Sequence, residues 1–417
     1  MKLIRLFQCS YLFIFAYTFS IYAVRIEATQ KMRAQQPVNS KLSTLEQKNN
    51  IPLYKTFPAL STKLPHVLLT ELPTPIQRLS NLEKILGVKN LFIKRDDLTS
   101  SLFGGNKTRK LEFLFGDALN GKANTVLTRG CAGSNHAAAT ALHAQNIGLE
   151  TILCFLDQKP TEYLRRNLLL DSHAGAQILT YTTPAQIDAD LVAIGREYAA
   201  TCGLSPYYIP SGGSNEVGII GYINAALELK EQIKQSLLPE PDLIYVALGS
   251  GGTAAGLVLG LKLAGIASKV VAVRVVHEKE PLEKETLIKS LCTCTGEYLT
   301  RYDENFPQVA ISDQDFMINH DFFGEGYAAI SEQAAQAIKL IKEHEHITLD
   351  GTYAGKAWAA LLHDLATQPI KDKTILFWNT FCSGDFKEIT DKVDYHTLPD
   401  TLHGYFECPL QPLDQGV

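Results

Sequence analysis

The chain of 417 residues has little excess charge of either sign: 39 lysines and arginines face 44 aspartates and glutamates, a formal balance of −5. Without a clustered Lys/Arg tract it offers no footprint for a nucleic-acid backbone. Cysteine is sparse, eight residues in a long chain, which excludes a disulfide scaffold. Cys154 lies in an apolar run where a buried thiol is the ordinary expectation. Cys292 and Cys294 form an isolated C-x-C; a closed metal site needs about four ligands, so none is expected there. His344 and His346 read as a solvated loop. With 29 glycines and 18 prolines, no collagenous or low-complexity class applies. What the chain does have is apolar mass, 46% hydrophobic against 20% charged, enough for two or three domains with sizeable cores.

One apolar run stands apart. Leu6 to Val24 carries no charge, with Lys2 and Arg5 before it and Arg25 after it. It is just long enough to span a bilayer, and it resembles a signal peptide or short anchor, although Ile21 and Ala23 make a poor cleavage site. A true start at Met32 is the other reading. Any membrane contact is expected only through residues 6–24, and residues 31–55, polar and rich in Gln, Asn and Lys, read as a mobile leader.

From about Thr70 the texture alternates between strand-like runs and helical periods. Strands are expected at 90–94, 125–128, 150–155, 177–181, 207–209, 243–248 and 270–276. Helices are expected at 107–119, 134–146, 162–173, 185–200, 253–264 and 331–343, with 278–320 less regular. Alternation of this kind implies parallel sheets with right-handed crossovers, here in two runs that suggest two α/β domains around a cleft.

Three turns carry candidate chemistry. Gly104-Gly-Asn-Lys107-Thr-Arg-Lys110 follows Lys94-Arg-Asp-Asp-Leu98; its glycines permit a sharp turn and close approach to a ligand. Lys107 then sits at a helix start, where the macrodipole disfavours a protonated amine. That suits a chemically used amine, and an ordinary surface lysine fits the stretch as well. Gly249-Ser-Gly-Gly-Thr253 lies between a buried strand and a helix, an anion cradle for a phosphate. It lacks the lysine of a P-loop but fits G-x-G-x-x-A through Ala254. With no acidic residue after the next strand, a dinucleotide reading rests on Arg274 and NADP. Gly133-Ser-Asn-His136 is the third turn; Ser134 is a candidate helix N-cap or a carboxylate anchor. Tyr327 and Tyr353 are core residues or active-site tyrosines.

Together these pieces resemble the pyridoxal 5′-phosphate (PLP) dependent family of D-cysteine desulfhydrase and 1-aminocyclopropane-1-carboxylate (ACC) deaminase. The likeness runs from about Leu72 to Phe386. It includes LPTPIQRL, IKRDDL, GGNKTRKLE with a Ser-Asn pair 27 residues after its lysine, IPSGGSN, GSGGTAAG and TYAGKA. The resemblance implies an α/β, two-domain fold of the tryptophan synthase β-subunit type, parallel sheets flanked by helices with the active site in the cleft. It assigns 56–109 and 213–400 to a PLP-binding large domain, 110–212 to a small domain and 401–417 to a tail, after the apolar segment 1–30. It implies that Lys107 carries PLP, that Asn106 and Lys110 help hold it, and that Ser250, Gly251, Gly252 and Thr253 bind its phosphate. Asn135 matches the residue near the pyridine 3′-oxygen, Ser134 the substrate-carboxylate serine, and Tyr327 and Tyr353 the two active-site tyrosines.

The resemblance also bears on substrate. ACC deaminases have a glutamate directly after the second tyrosine and a leucine in the C-terminal His-Leu-Gly-Gly turn; here those positions are Ala354 and Thr380. A hydroxyl near the pyridine nitrogen resembles the desulfhydrase branch, so Thr380 is expected to contact the cofactor. The implied activity is β-elimination on a small amino acid, D-cysteine giving pyruvate, hydrogen sulfide and ammonia. ACC deamination to 2-oxobutanoate and elimination from D-serine or β-chloroalanine are rivals. An NADP-binding oxidoreductase or a non-catalytic PLP-binding protein is the different-class alternative. A cytoplasmic homodimer is expected, with export or anchoring through the apolar leader as the alternative. Three stretches depart from the family pattern: Asn379-Thr-Phe-Cys382 for His-Thr-Gly-Gly, Gly130-Cys-Ala-Gly-Ser-Asn135 for Gly-Gly-x-Gln-Ser-Asn, and Asp350-Gly-Thr-Tyr353 for Asp-Pro-x-Tyr.

Overall fold

Strands with no polar face must be covered on both sides, and the runs LIYVAL and TILFWN meet that condition at the centre of the larger sheet. The computed structural model describes residues 42–202, 206–276 and 282–414. The strands are β1 (Ile76–Arg78), β2 (Asn90–Arg95), β3 (Thr125–Cys131), β4 (Glu150–Leu156) and β5 (Gln177–Tyr181), followed by β6 (Tyr207–Ile209), β7 (Leu243–Leu248), β8 (Lys269–Arg274), β9 (Phe316–Asn319) and β10 (Thr374–Asn379). Six form one sheet in the order β1-β2-β10-β7-β8-β9, and four form the other in the order β5-β4-β3-β6. Only β1 is antiparallel, pairing Ile76 with Lys94 at the sheet edge. All other pairs are parallel.

The longer helices are α1 (Ser80–Leu86), α2 (Asn106–Asn120), α3 (Asn135–Ile147), α4 (Glu162–His173), α5 (Pro184–Cys202), α6 (Ile220–Lys234), α7 (Gly252–Ala264), α8 (Leu282–Thr300), α9 (Glu332–Glu345) and α10 (Ala354–Thr367). They cover the sheets because their apolar residues recur at helical spacing. In α9 these are Ala334, Ala337, Ile338 and Ile341, and the Ser331 hydroxyl caps the helix by accepting from Ala334 N at 3.2 Å. That face joins Trp358 and Leu361 of α10 and Ile375 and Phe377 of β10 in one core. Each buried isoleucine, leucine or phenylalanine among them contributes about 1.5–3 kcal/mol by leaving water.

Polar residues knit the smaller elements to this core. Lys94 on β2 and Arg109 on α2 are buried together with Asp96 and Glu228. Arg109 donates to Asp96 at 2.7 and 3.0 Å and to Glu228 at 3.0 and 3.2 Å. Lys94 donates to Glu228 at 2.5 Å, to Gln232 at 2.7 Å and to the Thr74 carbonyl at 2.7 Å. Tyr222 and Trp378 each add a 2.7 Å bond to Asp96. Two cations and two anions cancel, and the lone pairs are filled, which is what makes buried charge tolerable. The IKRDD and NKTRK strings are therefore partly structural: they lock α2 against β2, β10 and α6.

The structure corrects several expectations. The leader is not loose where it is described: Ile51, Leu53 and Tyr54 are buried, and Leu53 N donates to Asn224 at 2.9 Å. The less regular 278–320 region contains the 19-residue α8. The 401–417 tail is docked as far as it is described, with Asp414 buried and accepting from Glu162 N at 2.5 Å. His344 lies in the last turn of α9 and His346 is its left-handed cap, rather than a loop. Cys292 is buried and Cys294 exposed on α8, so the pair does not converge. No helix among the described residues is long and apolar enough to cross a membrane; the segment 6–24 lies outside them.

Candidate active site

The loops that leave the C-terminal ends of β3, β7 and β10 meet the start of α2, the position where parallel α/β sheets bind ligands. They enclose a cleft of about 340 Å³. Asn106, Lys107, Ser134, Asn135, Ser250, Gly251, Thr253, Tyr327, Tyr353 and Thr380 all line it. Lys110 and Gly252 lie just behind that lining.

Lys107 reaches the cleft because the two preceding glycines let the chain pass through a crowded corner. A Cβ on Gly104 would sit 2.2 Å from the Asp97 carbonyl oxygen, and one on Gly105 would sit 3.0 Å from the Thr380 and Phe381 carbonyl oxygens. Gly105 also has φ +89°, where L side chains are strained. Burial depresses the Lys107 amine to about 8. Lys110, one turn along α2, is fully buried and directed at the Gly212 carbonyl (3.0 Å) and the Ser214 hydroxyl (3.1 Å). Ser214 in turn accepts from Gly252 N at 3.1 Å and bonds Ser250 Oγ at 2.7 Å. Lys110 thus braces the glycine loop from behind.

That loop suits an anion. Ser250 and Thr253 place hydroxyls at the N-terminus of α7, where amide hydrogens and the helix dipole favour negative charge. Asn106 donates to Thr253 Oγ1 at 2.9 Å, which leaves the threonine hydrogen free to donate forward. Opposite the loop, Gly212 (φ +66°) has no room for a Cβ: one would lie 2.3 Å from Ser250 Oγ and 3.2 Å from Lys107 Nζ. Arg274, needed by the dinucleotide reading, is buried with its guanidinium 4.3 Å from the centre of the Phe323 ring.

The opposite wall comes from the smaller sheet. Ser134 is the N-cap of α3, its hydroxyl accepting from Ala137 N at 3.2 Å; its own hydrogen remains to donate. Asn135 accepts from Asn167 Nδ2 at 2.8 Å, and the same amide donates to Gly133 O at 3.0 Å. His136 was not among the expected residues. It lines the cleft, is buried, and neither ring nitrogen has a partner among the described residues. Burial and the nearby Lys107 and Lys110 hold it well below the usual imidazole range, hence neutral. Its place directly after the Ser-Asn pair was the available signal.

Tyr327 and Tyr353 are brought together from distant segments. Asp350 caps α10, its carboxylate accepting from Thr352 N, Tyr353 N and Ala354 N at 3.1, 2.8 and 2.9 Å. The buried Lys356, depressed to about 8 by burial, holds the Phe323 and Gly326 carbonyls at 2.7 and 2.8 Å, and so fixes the chain leading into Tyr327. The Tyr353 hydroxyl then donates to that of Tyr327 at 3.0 Å, with the rings edge to face. Burial raises both phenols well above their ordinary range, so both stay protonated at any physiological pH.

The comparisons with known proteins identify the family. Residues 67–380 match the family described as pyridoxal-phosphate dependent enzyme. The chain belongs to that family. A Pyrococcus furiosus protein provisionally named 1-aminocyclopropane-1-carboxylate deaminase is 36% identical over 327 residues, 77% of this chain and 93% of its own. The D-cysteine desulfhydrase of Klebsiella pneumoniae strain 342 is 35% identical over 329 residues, 76% of this chain and 94% of its own. Among solved structures, an ACC deaminase homologue superposes with TM-score 0.67 at 32% identity, covering 84% of this chain and 99% of that one. The fold is the mixed α/β fold of PLP enzymes, and the protein is a PLP-dependent lyase or deaminase. The NADP reading of the turn at 249–254 is overturned, because the whole family match centres on a different cofactor.

The residues present fit PLP. A depressed lysine faces a glycine cradle that a Cβ would fill, an N-terminal anion site carries two hydroxyls, and an unpartnered neutral histidine lies alongside.

Proposed function

We propose that the protein eliminates hydrogen sulfide from D-cysteine and that one water then releases the remainder as pyruvate and ammonia. The observation that carries this reading is the pair of protonated tyrosines in a cleft whose only lining carboxylate, among the described residues, is already engaged: Asp350 accepts three backbone hydrogens. A leaving thiolate needs little more than a positioned phenol. Position 354, where a second acid would support a harder ring opening, is a buried alanine. Thr380, a neutral hydroxyl on the cleft wall, favours the same side.

Bound PLP supplies the electron sink for bond breaking at the amino-acid α-carbon. Lys107 would carry it, with Ser250, Gly251, Gly252 and Thr253 at its phosphate, Asn106 and Lys110 bracing that loop, and Asn135 and Thr380 at the ring. The chain's own groups do the rest. The Ser134 hydroxyl and the N-terminus of α3 bind the substrate carboxylate. Lys107, with an amine depressed to about 8, accepts the α-proton at Nζ. Tyr327 or Tyr353 gives a proton to the departing sulfur. The division into a large domain (56–109 and 213–400) and a small one (110–212) assigns the anion site to the first and the carboxylate site to the second. A cytoplasmic homodimer completes the proposal, tested by sedimentation and by fractionation of cells expressing the full chain.

The decisive experiment offers the PLP-loaded protein D-cysteine, L-cysteine, D-serine and ACC, and measures sulfide, pyruvate and 2-oxobutanoate. Sulfide and pyruvate in equal amounts from D-cysteine alone is the expected result. 2-Oxobutanoate from ACC at a higher kcat/KM would transfer the assignment to ACC deamination.

A further inference from the structure

The last described residues, 405–414, were expected to be a tail, yet they reach both walls of the cleft. On one side Tyr405 donates to Asp157 and accepts from Gln158 N at 3.2 Å. Gln158 Oε1 accepts from Gly133 N at 2.9 Å, directly before Ser134. Arg165 of α4 donates to the Tyr405 carbonyl at 2.8 Å. On the other side lies the turn that follows Tyr327. Ala328 there is fully buried with φ +56°, a conformation that costs a non-glycine residue roughly 1–2 kcal/mol and persists only where the surroundings impose it.

One side chain bonds it on both flanks. Gln411 Nε2 donates to the Ala328 carbonyl at 2.9 Å and to the Pro160 carbonyl at 3.1 Å, while its Oε1 accepts from Ile330 N at 3.4 Å. A single amide therefore holds the strained turn on both flanks and ties it to the loop after β4. A groove of about 480 Å³ runs along the same seam, lined by Lys159, Ile330, Gln411 and Leu413 among others.

We infer that Gln411 is a positioning residue for Tyr327, setting the distance between the tyrosine pair and the Ser134 turn. The consequence for turnover rests on the reading of Tyr327 as a proton donor; the structural claim does not. If Tyr327 drifts by even a fraction of an ångström, proton delivery to the leaving group suffers more than substrate binding does, since the carboxylate and cofactor contacts lie elsewhere.

Gln411→Met keeps the side-chain length and removes all three bonds. In the PLP-loaded protein, hydrogen exchange over 326–331 should rise about tenfold, and kcat on the turned-over amino acid should fall about tenfold with KM within about twofold. Gln411→Glu, which retains the acceptor and loses both donations, should lower kcat similarly. Tyr405→Phe loosens the segment at its other end and should leave exchange over 326–331 unchanged. Unaltered exchange in Gln411→Met, or an equal rise in Tyr405→Phe, would overturn the assignment. A protein that turns over no amino acid refutes the proposed activity, and the exchange comparison still decides the role of Gln411.

Discussion

Removing Arg109 should do more harm than removing any cation on the surface, because of what it leaves behind. Lys94, Asp96, Arg109 and Glu228 are all buried and sum to zero charge. Arg109→Leu leaves one cation against two carboxylates and strips four bonds to them. Breaking a buried pair from one side costs about 3–5 kcal/mol. Adding Glu228→Gln returns the cluster to one cation and one anion, so the double variant should recover about 2 kcal/mol relative to the sum of the singles. Urea unfolding monitored by tryptophan fluorescence reads this, Trp378 being bonded to Asp96. Strict additivity within about 0.5 kcal/mol would refute the account. Acid unfolding gives a second reading. Burial raises the Glu228 carboxyl, but Arg109 and Lys94 outweigh it and hold the group at about 2 rather than 4.5. A carboxyl lowered in the folded state stabilises it above the unfolded value and loses that contribution as pH falls. The loss should therefore span pH 4.5 down to about 2 in the unaltered protein, amount to about 3 kcal/mol, and shrink in Arg109→Leu. Because Lys107 shares α2 with Arg109, the same variant should also slow capture of PLP.

Other consequences are more local. In cofactor-free protein, trinitrobenzenesulfonate should modify Lys107 half-maximally near pH 8, since burial holds the amine there; a midpoint near 10 by peptide mapping would contradict the burial. Tyr353→Phe removes the hydroxyl that donates to Tyr327 and should cut kcat by about 10²-fold with little change in KM, measured as pyruvate release; a KM effect alone would make the tyrosine a binding group. Gly105→Ala meets two carbonyl oxygens at 3.0 Å with φ +89° and should cost about 2 kcal/mol or more, seen as a lower Tm and weaker PLP retention.

Much of this was legible in the chain. Turns built on glycine must do something specific with their backbone, and three such turns, at 104–107, 133–136 and 249–253, arrive at one cleft. Edges of regular elements were also readable, because α4 and β5 begin and end where their apolar periods do. Other features were not. Helix α8 carries four threonines, a C-x-C and a glycine, poor helix formers together; it forms because Ile288, Leu291, Cys292, Thr295, Tyr298 and Leu299 find a buried face, a tertiary reason that a local reading lacks. The leader and the tail mislead in the same way. Neither has a regular apolar period, and both dock through a few residues, Leu53 and Tyr54 in one, Gln411 and Asp414 in the other. Average composition hides such anchors.

The departures from the family pattern are where specificity is to be sought, and the structure shows how those at Gly133 and at 381–382 are absorbed. Gly133 stands where a glutamine is usual, and nothing larger fits: a Cβ would lie 2.7 Å from the Gln158 amide nitrogen and 2.8 Å from Leu164 Cβ. An amide is thus retained beside the Ser134 turn, delivered from the loop after β4. Phe381 and Cys382 stand where two glycines are usual. The Phe381 ring packs edge-on to Tyr163 at 4.9 Å, and the Arg166 guanidinium lies within 6 Å of Phe103, Tyr163, Phe381 and Phe386. Arg166 also donates to Asn167 Oδ1 at 3.0 and 3.1 Å and to the Cys382 carbonyl at 3.3 Å. That orients the Asn167 amide, whose nitrogen bonds Asn135. The bulk added at 381 is therefore coupled through Arg166 and Asn167 to Asn135 on the opposite wall. Restoring a glycine at 381 alone would free the guanidinium without restoring the family geometry. Phe381→Gly should accordingly weaken PLP retention through Asn135, and combining it with Asn167→Ala should add little further loss, whereas fully additive losses would break the proposed coupling.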